Sequence, residues 1–259
     1  MQATLRAFWR LFRLFLLIWA GVWLTFRHGS GPDASARLAR ARRWWCARVL
    51  DVAGIRVRRE GEAVRGPAMV VANHVSWLDI PVLGTIPDMH FVSKSEVARW
   101  PVIGWLARRH QTLFIRRGGH ESEALAAKIA DALARGQKVV VFPEGTTTRG
   151  DAVRRFHPRL FAAAIAAEAP VQPVAIDYGR EPDGSPPKAS YAGGDRLLSH
   201  VWQLLCRDHT DVQVKVLTKL PVTSDSVRRA LATKARAEIV HALSLSETPG
   251  ICDRQERRG

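Results

Sequence analysis

The apolar residues of this chain fall into two regimes, with a boundary near residue 54. From Phe8 to Phe26 the sequence FWRLFRLFLLIWAGVWLTF is mostly apolar and carries charge only at Arg10 and Arg13. That density predicts a helix. Its charge-free part, Leu14 to Phe26, is thirteen residues, short of the roughly 20 that a spanning helix needs. A secreted leader would need a small-residue cleavage site, and TFRHGSG is a poor one. The run therefore reads as a helix lying in or dipping into one leaflet, with Trp9, Trp19 and Trp23 near the headgroups. HGSGPD then breaks the chain, and Asp33 or Ser35 is placed to cap a second helix. Over residues 35–53, Leu38, Ala41, Trp45, Val49 and Val52 recur on one helical stripe, and Arg37, Arg40, Arg43 and Arg48 lie off it. Residues 1–53 thus read as a membrane-docking helical hairpin.

Beyond Gly54 the pattern changes. IRVRRE alternates like a half-exposed strand, and apolar runs follow at 68–72, 89–93, 112–115, 138–143, 171–176 and 212–217. Helical periodicity fills most of the gaps, clearest at Glu121–Arg135, where Leu125, Ile129 and Leu133 are four apart. Pro158–Ala169 and Ser224–Leu245 are two more helical stretches. Strands alternating with helices predict an α/β fold, a mostly parallel central sheet flanked by helices, over residues 54–247. GREPDGSPPKASYAGGD (179–195) reads as a loop, and 248–259 as a disordered tail.

Composition sharpens the membrane reading. The net charge is +15, and residues 1–60 hold twelve arginines against Asp33, Asp51 and Glu60, with five of the nine tryptophans. A basic chain invites a nucleic-acid partner, but arginine interleaved with tryptophan and long aliphatics fits an anionic membrane surface better. No nucleic acid is expected. The three cysteines, Cys46, Cys206 and Cys252, are far apart and form no CxxC pair, which points to a reducing compartment and to neither a disulfide framework nor zinc. No metal ligand set is expected around the acidic and histidine residues singled out below.

The candidate chemistry begins at AMVVANHVSWLD (68–79), where a buried-strand pattern runs into Asn73-His74 and Asp79 follows five residues after the histidine. An imidazole held by a carboxylate is the minimum for general-base catalysis. The spacing alone is weak, since His28 and Asp33 repeat it in a loop with no strand leading in. Context separates them. In a parallel sheet, ligands gather beyond the carboxyl ends of the strands. Three predicted strands end there in polar groups: Asn73-His74, Arg116-Arg117, and Glu144-Gly145-Thr146 after Pro143.

With these residues in place, NHVSWLD, QTLFIRR, FPEGTTTRG and VQPVAI resemble, in order, the four blocks of the glycerolipid (1-acylglycerol-3-phosphate) acyltransferases. The resemblance covers roughly residues 55–220. It implies that His74 deprotonates the hydroxyl of a lysolipid, that Asp79 orients and charges the imidazole, and that the hydroxyl attacks the thioester of acyl-CoA or acyl carrier protein. No further cofactor is implied. Arg117 takes the phosphate-binding position, with Arg116 beside it where an aspartate is common. Glu144, Gly145 and Thr146 match the third block. The arginine that often follows directly is replaced by Thr147-Thr148-Arg149, so Arg149 stands two residues on. Backbone N–H groups of Val75-Ser76 or Gly145-Thr146 are candidate oxyanion donors. The expected reaction makes phosphatidic acid from lysophosphatidic acid at the cytoplasmic face of the inner membrane. The departures at Arg116 and Thr147 keep lyso-ornithine lipid or another lysophospholipid open as acceptor. A basic binding module without catalysis is the more distant alternative.

Overall fold

The structure is a computed structural model and describes residues 1–31, 33–62, 65–115 and 121–245. The chain opens with helices Gln2–His28 (α1) and Ala34–Ala53 (α2), then strands Ile55–Gly61 (β1) and Ala68–Ala72 (β2). Asp79–Gly84 (α3), Met89–Lys94 (β3), Ile103–Arg109 (α4), Leu113–Ile115 (β4) and Glu121–Ala134 (α5) follow. Lys138–Val141 (β5), Ala162–Ala166 (α6) and Val171–Asp177 (β6) come next. Leu197–Cys206 (α7), Thr210–Val216 (β7) and Arg228–Ala242 (α8) complete the fold.

The sheet has the order β1-β7-β6-β2-β5-β3-β4. Every neighbouring pair is parallel except β6–β7, as the alternation of strands and helices predicts. β2 lies at the centre, and all five of its residues are buried. This explains why AMVVA shows no polar alternation: both faces of a central parallel strand are covered. Ala68, Val70 and Ala72 point into one core with Leu50, Leu78 and Leu204. Met69 and Val71 point into the other with Ile129, Phe161 and Ile239. The edge strand β1 keeps only Ile55 buried, so its arginines stay in water and blunt the edge.

Where the structure departs from the sequence pattern, local chemistry explains it. The helical pattern at 158–169 is split into a 3-10 turn, Pro158–Phe161, and the short α6. Left-handed Glu168 (φ 44°) stops it, because a helix cannot continue through that conformation. Asp33 does occupy the N-cap position of α2, but it is left-handed and its side chain caps nothing. The 179–195 segment is irregular as expected, yet Ala189, Ser190 and Ala192 within it are buried. The expected tail at 248–259 lies outside the described residues.

The N-terminal hairpin forms and packs on the sheet: Ala7, Leu50 and Ala53 belong to the same core as β2. α1 has 27 residues, about 40 Å at 1.5 Å per residue, twice the length of its charge-free run. By length and composition it could cross a membrane. Arg6 and Arg10 explain why charge does not shorten it. They turn inward to the end of α7, Arg6 donating to the Cys206 carbonyl and Arg10 to those of Leu205, Arg207 and Asp208. Carbonyls left over at a helix C-terminus are natural partners for guanidinium groups. The indole of Trp45 ties α2 to the Leu17 carbonyl of α1 (2.6 Å).

α2 packs on α3, and the two come very close at Gly84. A Cβ on Gly84 would lie 2.6 Å from the Cys46 sulfur. Gly84→Ala is therefore expected to destabilise the protein by about 1–3 kcal/mol through overpacking. Adding Cys46→Ala should restore most of the loss. Urea unfolding of the two variants checks this, and equal midpoints for wild type and Gly84→Ala would refute it.

Candidate active site

Three of the four blocks, far apart in sequence, meet around His74, and a few hydrogen bonds decide how. β2 and β6 are paired through Ala72↔Val174. Beyond that pair the Asn73 side chain continues the ladder, its amide donating to the Ile176 carbonyl (2.9 Å) and its carbonyl accepting from the Ile176 N–H (2.8 Å). A side-chain amide carries the same donor and acceptor as a peptide group, so the chain can leave the sheet here without orphaning the β6 backbone. His74 follows immediately.

His74 Nδ1 lies 2.7 Å from Asp79 Oδ2. The same oxygen accepts the N–H groups of Val75 (2.8 Å) and Ser76 (2.9 Å), and Oδ1 accepts the Tyr178 hydroxyl at 2.6 Å. Asp79 is fully buried. Four donors around one buried carboxylate are what allow it to stay ionised out of water. With Nδ1–H bound to the carboxylate, the lone pair of His74 sits on Nε2, the tautomer a general base needs. The imidazole stacks on Phe142 from the end of β5, with ring centroids 4.0 Å apart, and its side chain is 19% exposed. This geometry can accept a proton from a hydroxyl. His28 and Asp33, which share the spacing, form no ion pair among the described residues.

Glu144 was expected to bind substrate, but the structure gives its carboxylate a different job. Oε1 accepts the His74 N–H and Oε2 the Arg154 N–H, both at 2.7 Å, and the residue is buried. Both oxygens are committed to backbone, so Glu144 is a clamp on the histidine's main chain. Burial pushes its pKa up to about 7, against the pull of those two N–H groups. Thr148 completes the clamp, its N–H (2.8 Å) and hydroxyl (3.3 Å) both donating to the His74 carbonyl. The insertion that displaces Arg149 thus has a structural use. Arg149 itself is half-exposed and pairs with Asp195 at 3.4 Å.

The expected oxyanion donors are also redistributed. The N–H groups of Val75 and Ser76 are taken by Asp79, and that of Gly145 by the Phe142 carbonyl (3.1 Å). Thr146, half-buried, is the one of the four candidates whose N–H has no hydrogen bond recorded among the described residues. Gly145 is left-handed (φ 70°), which suits glycine and lets the chain turn sharply at the strand end. Arg116 and Arg117 lie outside the described residues. β4, which leads to them, is parallel to β3, and β3 to β5, so its carboxyl end is on the edge that carries His74 and Glu144. A cleft lined by Val75, Gly150, Ile176, Arg180, Pro187 and Leu243 opens beside the histidine loop. Sequence reasoning missed Tyr178 and Thr148; the signal for Tyr178, an aromatic two residues past a core strand position, is too common to single out.

A family model described as Acyltransferase matches residues 52–177. The chain is 42% identical to a lyso-ornithine lipid O-acyltransferase of Pseudomonas aeruginosa, over 96% of this chain and 97% of that protein. It is 31% identical to a 1-acyl-sn-glycerol-3-phosphate acyltransferase of Neisseria gonorrhoeae, over 73% of this chain and 74% of the relative. Its fold matches the crystal structure of the 1-acyl-sn-glycerophosphate (LPA) acyltransferase from Thermotoga maritima with a TM-score of 0.69. That match covers 96% of this chain and 97% of the other at 21% identity, a likeness of fold.

The clamp is testable apart from any activity. Glu144→Gln retains one acceptor and sets an NH2 group against a backbone N–H, which should cost about 1–3 kcal/mol. A carboxyl raised to about 7 binds its proton more tightly folded than unfolded. Its contribution to stability is therefore full below its unfolded value of 4.5 and is lost as pH rises through about 7. The gap in unfolding free energy between wild type and Glu144→Gln should narrow from about pH 5 to about pH 8. A constant or widening gap in denaturant titrations contradicts the assignment.

Proposed function

Because the chain belongs to the acyltransferase family and acylates lysolipids, we propose that it moves an acyl group from acyl-CoA or acyl carrier protein to the hydroxyl of lyso-ornithine lipid. The observation that carries the chemistry is the His74–Asp79 contact, with Nε2 left as the base. His74 Nε2 takes the hydroxyl proton as the oxygen attacks the thioester carbonyl. Collapse of the tetrahedral intermediate breaks the C–S bond, and the imidazolium returns its proton to the departing thiolate. Asp79 stabilises the imidazolium between these two transfers. No acyl-enzyme is needed, since the acceptor supplies the nucleophile. Thr146 N–H is the candidate donor to the oxyanion.

The acceptor rests on two supports. The relative matched over nearly the whole chain, at 42% identity, is named for lyso-ornithine lipid. Arg116 and Arg117 together would place two guanidiniums in the second block, and ornithine offers a carboxylate that a guanidinium grips as readily as a phosphate. Lysophosphatidic acid is the second reading, favoured by the four ordered blocks and by the gonococcal relative. Gly145, Thr146 and Arg149 remain assigned to substrate binding in either case, and Glu144 acts on substrate only through His74.

The enzyme works from a membrane surface. Leu5, Phe8, Trp9, Phe12, Phe15, Leu16, Trp19, Trp23 and Phe26 of α1 are all exposed. At 100° per residue they fall within about a third of the helix circumference. Ala7, Gly21 and Thr25 are buried on the opposite side. An exposed apolar stripe with arginines at its borders suits the interface of an anionic leaflet. Acyl thioester donors are cytoplasmic, which supports reading this surface as one that docks on the cytoplasmic face of the inner membrane.

Three measurements test the proposal. His74→Ala should lower transfer by at least about a hundredfold with liposome binding unchanged; near-normal transfer would remove His74 as the base. An acceptor panel, run with both thioester donors, should give a higher kcat/KM for lyso-ornithine lipid than for lysophosphatidic acid, and the reverse order selects the second reading. Replacing Trp9, Trp19 and Trp23 together with alanine should cut sedimentation with anionic liposomes by about tenfold without moving the unfolding midpoint. Unchanged sedimentation removes α1 as the docking surface.

A further inference from the structure

The dyad has a third member that none of the four sequence blocks contains. Val174, Ile176 and Tyr178 alternate along the end of β6 and all face the core that also holds Leu78 and Val75. The Asn73–Ile176 bridge sets this register. Two residues further on, the Tyr178 ring is carried beneath the histidine loop, buried, with its hydroxyl 2.6 Å from Asp79 Oδ1. Three donors hold Oδ2, whereas Tyr178 is the donor recorded to Oδ1 among the described residues.

We infer that Tyr178 is a positioning residue for acyl transfer: its hydroxyl fixes the rotation of the Asp79 carboxylate and draws charge from it, which sets both the orientation and the basicity of His74. Pinning one oxygen leaves a carboxylate free to swing about it, and the second anchor removes that freedom. Donation to Oδ1 also spreads charge away from Oδ2, the atom that faces the imidazole. Burial and the neighbouring Asp79 charge hold the phenol well above its ordinary pKa, so it remains a donor across the working range. Glu144, just past β5, is the further titratable group whose charge acts on Asp79; His200 of α7 bonds the Trp77 indole, and Cys46 of α2 and Arg59 of β1 lie against the far end of α3 at Gly84 and Thr85. None of these makes a recorded hydrogen bond to the Asp79 carboxylate.

The inference rests on the general-base reading of His74, and the test separates the two. Tyr178→Phe keeps the ring and removes the hydroxyl. Charge then concentrates on Oδ2, the imidazolium is held more tightly, and the acid limb of kcat/KM against pH should move up by about half to one unit. kcat should fall about tenfold with KM for the lysolipid unchanged. On an Asp79→Asn background the same substitution should cost less than about twofold, since the two act through one contact. An unfolding midpoint within a few degrees of wild type shows that the core is intact; if Tyr178→Phe does not fold, Tyr178→Leu and the Asp79→Asn cycle are read in the same way. A limb that stays in place or moves down overturns the role, and so do independent costs in the cycle. If His74→Ala abolishes transfer while Tyr178→Phe leaves the limb unmoved, only the positioning role fails. If His74→Ala retains transfer, the general-base reading itself fails.

Discussion

One fully buried carboxylate sets the constraints on the rest of the site. Asp79 cannot be ionised in the core without donors, and the four it has come from three places: the imidazole, two successive backbone N–H groups, and a tyrosine one residue past the end of β6. Satisfying that charge forces the 74–79 turn to curl around it. The same curl brings Nδ1 of His74 to the carboxylate and leaves Nε2 outward. The tautomer that the proposed general base needs and the shape of the loop are therefore one solution to one desolvation problem. They also explain why Val75 and Ser76 are unavailable as oxyanion donors.

Glu144 answers a different need on the other side of the histidine. It grips the main chain of His74 where Asp79 grips the side chain, and Thr148 holds the carbonyl. The two acidic groups differ in environment: Asp79 has four short donors, whereas Glu144 has two, and burial lifts its pKa to about 7. The division is between a carboxylate that holds the imidazole and one that serves as an acceptor for main-chain N–H groups. Clamping the backbone from both directions holds the imidazole on the Phe142 ring, the preorganisation that the proposed proton transfer would use.

The arginines of the N-terminal region divide their labour in a similar way. Arg6 and Arg10 are turned to the end of α7, where they satisfy carbonyls. The apolar stripe on the opposite side of α1 is left open. α1 is thus fastened by polar contacts along one side and exposes its apolar residues along the other, the surface proposed to dock on lipid. α2 packs on α3, which begins at Asp79, and α1 packs on α2, so packed helices connect the exposed apolar face of α1 to the site.

Much of this was legible in the sequence, for reasons of periodicity and local context. The seven strands stood out because central parallel strands are continuously apolar and short. β1 stood out because an edge strand alternates. The hairpin followed from two stripes and a glycine-rich break, and His74 with Asp79 followed from a strand running into a turn, with later blocks giving weight to a spacing that His28 and Asp33 share. Tertiary structure decided which groups are spent on each other. Tyr178 meets Asp79 across 99 residues, Glu144 meets His74 across 70, and Arg6 meets the Cys206 carbonyl across 200. No local pattern encodes such pairs, because they depend on sheet order and register. That is why a glutamate expected to bind substrate became a clamp, and why three of the four expected oxyanion donors were already taken. A sequence displays the donors and acceptors a chain possesses; only the packed sheet determines which of them remain free for a substrate.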